Sequence, residues 1–180
     1  MRNWPIPRLA CVGAIALGAM AGSDSGAATR SPGAERIDFG YLCQLPTAEI
    51  VEAPNTVSGE LNLIAGIPVF FRRTTTIPAQ RGLSFGVTVD VAPRFVGSAV
   101  IVTRHPPMGP DGVMTESWVT EFTVDNTGYA GFTFEYDYEL LPGTWTFLAT
   151  SNGRLIYEVD FEVVRVEGGP VIDCHGMPLS

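Results

Sequence analysis

The 180-residue chain contains no lysine, only two histidines and three cysteines, and no stretch whose apolar residues recur at helical spacing. Each absence excludes something. Positive charge comes from arginine alone, and Asp plus Glu outnumber it 19 to 11, leaving a formal net charge of −8. A polyanionic backbone would be repelled by that excess, so nucleic acid is not an expected partner, and anionic lipid is disfavoured for the same reason. Cys174 beside His175 lacks the ligand spacing of a zinc site, so no metal or other cofactor is expected. No G-x-S-x-G nucleophile elbow occurs, which removes the most readable hydrolase signal.

What the chain does have begins with MRNWPIPRLACVGAIALGAMAGSDSGAA. Arg2 and Arg8 precede a small-residue apolar run from Leu9 to Ala21, with cleavage-like sites at Ala19-Met20-Ala21 and Gly26-Ala27-Ala28. This is the pattern of an export signal, and the run is too short to span a bilayer. Residues 1–28 are therefore expected to be cleaved, with no transmembrane segment in the mature chain and a periplasmic or secreted location. Residues 29–36 read as a flexible lead-in, and 37–176 as one domain able to bury about two-thirds of its unfolded surface. Cys11 leaves with the signal. Cys43 and Cys174 remain, and in an oxidising compartment such a pair is expected to form a disulfide.

The apolar spacing in that domain is two. Phe85, Val87, Val89 and Val91 alternate with small or polar residues. Trp118, Thr120, Phe122 and Val124 do the same, as do Phe132, Phe134, Tyr136 and Tyr138. Ile37–Cys43, Ala99–Thr103 and the Pro-bracketed Val69–Thr76 are further β-prone runs, whereas Leu61–Ile64 fits strand or loop equally. The clearest signal starts at Leu140, in LLPGTWTFLATSNGRLIYEVDFEVV. Asn152-Gly153 supplies a tight turn between a strand facing inward with Trp145, Phe147 and Ala149 and one facing inward with Leu155, Tyr157, Val159, Phe161 and Val163. Short strands at roughly ten-residue spacing point to an all-β fold, an immunoglobulin-like β-sandwich of about 7–9 antiparallel strands.

The run HPPMGPDGVMTESW from His105 to Trp118 is the most unusual. Two fixed-φ prolines and two methionines suggest a rigid loop at one end of the sandwich, presenting His105, Pro106, Pro107, Met108 and Trp118 to a partner. Packing of the same residues over the core edge is the alternative. A hydrolase using His105 with Asp111 or Glu116 is a second reading, and copper ligation through His105, Met108 and Met114 a third. Glu135, Asp137 and Glu139 form an acidic ladder expected to lie on a solvated strand face, too spread for one calcium ion.

Three stretches carry a resemblance: TIPAQRGLSFG at Thr76–Gly86, RHPPMGPDG with ESW between Arg104 and Trp118, and the LxPGxWxF pattern from Leu140. Together they resemble an uncharacterised bacterial exported or periplasmic domain family. That resemblance implies a small exported β domain and transfers no catalytic residue. The expected function is thus a non-enzymatic exported domain that binds a protein or cell-envelope component.

Overall fold

The computed structural model describes residues 29–166 and 172–174, which contain eleven strands and two single-turn 3-10 helices. In chain order the strands are β1 (Thr29–Arg30), β2 (Ala34–Cys43), β3 (Thr47–Glu52), β4 (Glu60–Ile64), β5 (Thr76–Ala79) and β6 (Leu83–Val91). They continue with β7 (Gly97–Met108), β8 (Val113–Phe122), β9 (Gly128–Thr133), β10 (Gly143–Ser151) and β11 (Arg154–Arg165). The expected signal segment lies outside the described residues.

Nine of these strands make two sheets. One runs β1-β11-β10-β7-β8, with β5 also on β11; the other runs β2-β6-β9. All pairings within them are antiparallel except β5 on β11, which is parallel. This is the expected sandwich. Beyond it, β3 and β4 form a two-stranded sheet of their own. The segment 29–36, expected to be flexible, instead carries β1 and the start of β2, because Thr29 and Arg30 register with Val159 and Glu158 on the free edge of β11.

Alternation explains the core. Trp145, Phe147 and Ala149 on β10 are fully buried, as are Val159, Phe161 and, nearly so, Tyr157 and Val163 on β11. The turn between them uses positive φ at Asn152 and Gly153, as the Asn-Gly pair requires. One inward residue differs from the alternation. The ladder slips between Ala149 and Thr150, so Ile156 turns inward beside Tyr157 while Leu155 is only half-buried. A bulge places two consecutive residues on one side, which a strict period of two does not foresee.

Antibody domains bridge their sheets with a disulfide between the strands equivalent to β6 and β10. Here Phe85 occupies that centre, with ring centroids 5.2–5.5 Å from Phe134, Trp145, Phe147 and Phe161. Three of those four contacts are edge-on, the arrangement that ring quadrupoles favour. The disulfide sits elsewhere, joining Cys43 at the end of β2 to Cys174, with Cα atoms 5.6 Å apart across 131 residues. On the chain-entropy model so long a loop stabilises the fold by about 4–5 kcal/mol. Beside it, the Gln80 side chain exchanges two 2.8 Å hydrogen bonds with the backbone of Ile172, holding residues 172–174 to the turn before β6.

The expected strand over Val69–Thr76 is not formed. Those residues contribute one bridge, Tyr41 to Arg72, and regular pairing starts only at Thr76. Pro78 then falls inside β5, an edge strand that pairs with β11 alone, where a missing N–H is tolerated.

Candidate functional site: a groove between a hairpin and two sheet edges

The run HPPM is strand, not loop. β7 extends to Met108, β8 begins at Val113, and only Gly109–Gly112 turns between them. The ladder from Gly97 to Arg104 breaks before resuming at Met108. Pro106 and Pro107 fall inside the break, where no ladder donor is needed. His105 and Met108 consequently face the core and are buried; Pro106 is half-buried, Pro107 exposed, and Trp118 half-buried. The expectation that His105 and Met108 are presented to a partner is therefore corrected: His105 continues the inward alternation of Ile101 and Thr103, and Met108 faces inward where pairing resumes.

Three distant stretches meet at this end of the sandwich. The His105 ring stacks against Trp145 with centroids 4.9 Å apart, and Trp145 Nε1–H donates to the Leu141 carbonyl. Gly143, at φ +130°, leaves room for Pro106, whose Cγ would lie 3.2 Å from an added Cβ. His105 Nε2 lies 3.1 Å from Glu116 Oε1, with the His105 side chain fully buried and that of Glu116 9% exposed. The HPPM, ESW and PGTW residues thus pack on one another.

The protonation of that pair follows from its partners. His105 Nδ1 is 2.8 Å from the Pro106 carbonyl, which can only accept, so Nδ1 carries a proton. Nε2 then faces Glu116 Oε1, and neither atom has any other hydrogen-bond partner. One lone pair opposing a carboxylate oxygen is repulsive unless a single proton sits on one of them. The other oxygen, Oε2, accepts the Val57 N–H at 2.9 Å. Glu116 therefore faces the sandwich with one oxygen and the β3–β4 connection with the other.

Asp111, the other proposed partner of His105, stands exposed in the turn. Met114 is exposed on β8 while Met108 is buried, so the copper reading finds its ligands on different sides. No nucleophile accompanies the buried His105–Glu116 pair among their hydrogen-bond and ion-pair partners, Pro106 and Val57.

Beyond Glu116 lies a groove. β8 ends one sheet, β9 ends the other, and the β3–β4 hairpin stands opposite both without ladder pairing to either. Its connection meets β8 through Ser117 N–H to the Asn55 carbonyl, 3.1 Å, and through the Val57–Glu116 bond. The middle of the groove is a cavity of about 160 Å³ floored by Thr103, Glu116 and Phe132 and rimmed by Trp118, Tyr136 and Tyr138. Tyr138 continues into an apolar basin with Pro107, Pro110, Val57 and Leu141. Trp118 continues the other way, between Leu61–Ile67 and the turn at Asn126–Ala130.

Tyr136 and Tyr138 were expected on a buried strand face. They are instead 55% and 49% exposed, stacked 5.5 Å apart at 10°. β9 stops at Thr133 and the chain turns through a 3-10 helix at Asp137–Glu139. The acidic ladder is likewise not a solvated face. Glu139 is buried, and its Oε2 accepts the N–H groups of Glu135 and Tyr136 at 2.6 and 2.8 Å, capping the turn. Burial raises the Glu139 pKa and the two backbone bonds oppose that rise. Burial also raises the Tyr138 pKa, with the neighbouring Glu139 charge acting in the same direction. In the groove's far part, burial pushes the Tyr129 phenol well above its ordinary value.

Of the five residues expected to bind, only Pro107 and Trp118 line the groove. Tyr136, Tyr138 and Glu60 were missed. The alternation runs unbroken from Phe132 through Tyr138, so it carried no signal that the two tyrosines leave the sheet.

Comparison with known proteins follows this geometry. A family model described as a domain of unknown function, DUF3859, matches residues 31–163. Among solved structures, the crystal structure of an immunoglobulin-like protein from Pseudomonas aeruginosa, at 1.50 Å resolution, is similar with a TM-score of 0.50. Sequence identity is 20%, and the match covers 78% of this chain and 99% of that one, a likeness of fold. No curated protein matches the chain.

Proposed function

The chain belongs to the DUF3859 family, a domain of unknown function, and from that premise we propose that it is an exported, non-enzymatic β-sandwich that binds a protein or cell-envelope component in the groove between β3–β4 and the β8 and β9 edges. The observation that carries this reading is the pair of exposed, stacked tyrosines beside Trp118 on the rim of a polar cavity. Large aromatic groups left at a surface without a covering element are typical anchors of an interface. Three unpaired strand edges border the same groove, and an extended segment can add to such edges. Export and a periplasmic or secreted location rest on the N-terminal pattern of residues 1–28.

A photo-crosslinking residue in place of Trp118, expressed in the native envelope, tests the groove. An adduct that forms there and not from Glu162 on β11 is the expected result; absence of any Trp118-dependent adduct overturns it. Intact mass of the exported protein tests the signal, which predicts loss of the first 21 or 28 residues.

The hydrolase alternative has less support. His105 has no exposed face from which to activate water, and Asp111 is not its neighbour. A general base must reach the proton it removes. Hydrolysis of any ester, glycoside or peptide in a broad panel, abolished by His105→Ala, would revive it.

A further inference from the structure

We propose that the groove takes an extended, positively charged peptide segment, with a lysine or arginine side chain entering the cavity between Glu60, Glu116 and Glu135 and lying against the Tyr136–Tyr138 stack. This rests on the groove assignment above and adds the chemistry of the occupant.

Charge is the first argument. Every charged residue lining the groove is a glutamate: Glu60, Glu116, Glu121, Glu135 and Glu139. No arginine lines any part of it, in a chain that has eleven. Several arginines elsewhere are engaged with acids, as Arg36 is with Asp90, Arg73 with Asp38 and Arg104 with Glu158. Arg81, which reaches this rim, is held by the Glu135 carbonyl and by Asp137. Glu60 and Glu121 form no ion pair among the described residues. Like-signed charge gathered in a cleft focuses the field there and attracts the opposite sign.

The second argument, from shape, is independent of that count. A cavity of about 160 Å³ is small for a drug-sized ligand but suits one long side chain. Stacked tyrosine faces at its mouth offer the cation–π contact that ammonium and guanidinium groups favour. The apolar basin of Pro107, Pro110, Val57 and Leu141 then receives a neighbouring apolar residue of the same segment.

Fluorescence anisotropy with the oxidised protein tests this, using three labelled peptides of equal length: alternating Lys-Val, Ser-Val and Glu-Val. The Lys-Val peptide is expected to bind about tenfold tighter than Ser-Val, and to weaken as salt rises. Glu60→Gln and Glu135→Gln should each weaken it about two- to fivefold, and Trp118→Ala about tenfold. Glu162→Gln, on β11 outside the groove, should leave it unchanged. Tyr138→Ala, at an exposed position, provides a second aromatic variant should Trp118→Ala misfold. Equal binding of all three peptides, lost with Trp118→Ala, overturns the charge inference and leaves the groove standing. Lys-Val binding that survives every groove change overturns the inference as attraction to the net charge alone. Failure of all three peptides to bind overturns it as well.

Discussion

Two hairpins of this chain obey the same local rules and end in opposite circumstances. β10–β11 is paired on both sides, by β7 on one flank and by β1 and β5 on the other, and its inner face is closed to solvent. β3–β4 pairs only with itself, and almost every residue in it is exposed or half-exposed. Ile50 and Leu63 lie open on it, although their side chains are as apolar as those of the buried hairpin. The difference lies in what crosses each face. An isolated two-stranded hairpin is marginal in water, so β3–β4 depends on its few ties to the sandwich and is free to be a binding wall.

Removing packing from each hairpin should widen the contrast. Phe147→Ala, beneath Phe85 and Phe161, is expected to cost about 3–5 kcal/mol in urea unfolding. A loss below 1 kcal/mol would mean that β10–β11 is not the scaffold described. Cutting the tie between hairpin and sandwich comes next. Glu116→Ala leaves the Val57 N–H and His105 Nε2 without partners and should cost about 1–3 kcal/mol. Its signature is faster amide exchange at Val57 and Ser117 with the β6 and β10 amides unchanged. Glu116→Gln, whose amide can donate to Nε2 and accept from Val57, should restore most of the stability. If it fails to, the shared-proton description of the pair is wrong.

Smaller effects sharpen the comparison. Gly153→Ala forces a side chain onto φ +72° and should cost about 1 kcal/mol, since the scaffold turn is bound into a ladder that cannot relax. Ile50→Ser, on the outer hairpin, should change stability by no more than about 0.5 kcal/mol, measured in the same titration. A loss as large as that of Phe147→Ala would show that β3–β4 packs as core.

The site was less legible than the scaffold, for reasons visible in particular residues. Pro106-Pro107 looked like a loop because prolines interrupt ladders, yet a register break accommodates both within β7. His105 and Glu116 belong to adjoining strands, and Thr103 registers with Glu116. Their meeting depends on a pairing register that the prolines obscured. Tyr136 and Tyr138 continued the alternation of Phe132 and Phe134, and the turn capped by Glu139 took them out of the sheet. Trp118 could be singled out from its surroundings, and it alone of the expected anchors lies at the centre of the groove.

Sequence by itself determined the all-β class, the Asn152-Gly153 turn and the inward residues of β10 and most of β11. Those depend on neighbours two residues apart and on a turn needing positive φ, which are local facts. It also named the cysteines that the structure joins, Cys43 and Cys174. Tertiary structure alone decided which strands are edges, that β3–β4 stands apart, and that His105, Glu116 and Trp145 close one end of the core. Whether a face is core or groove depends on which other segment covers it, and strand alternation carries no record of that segment.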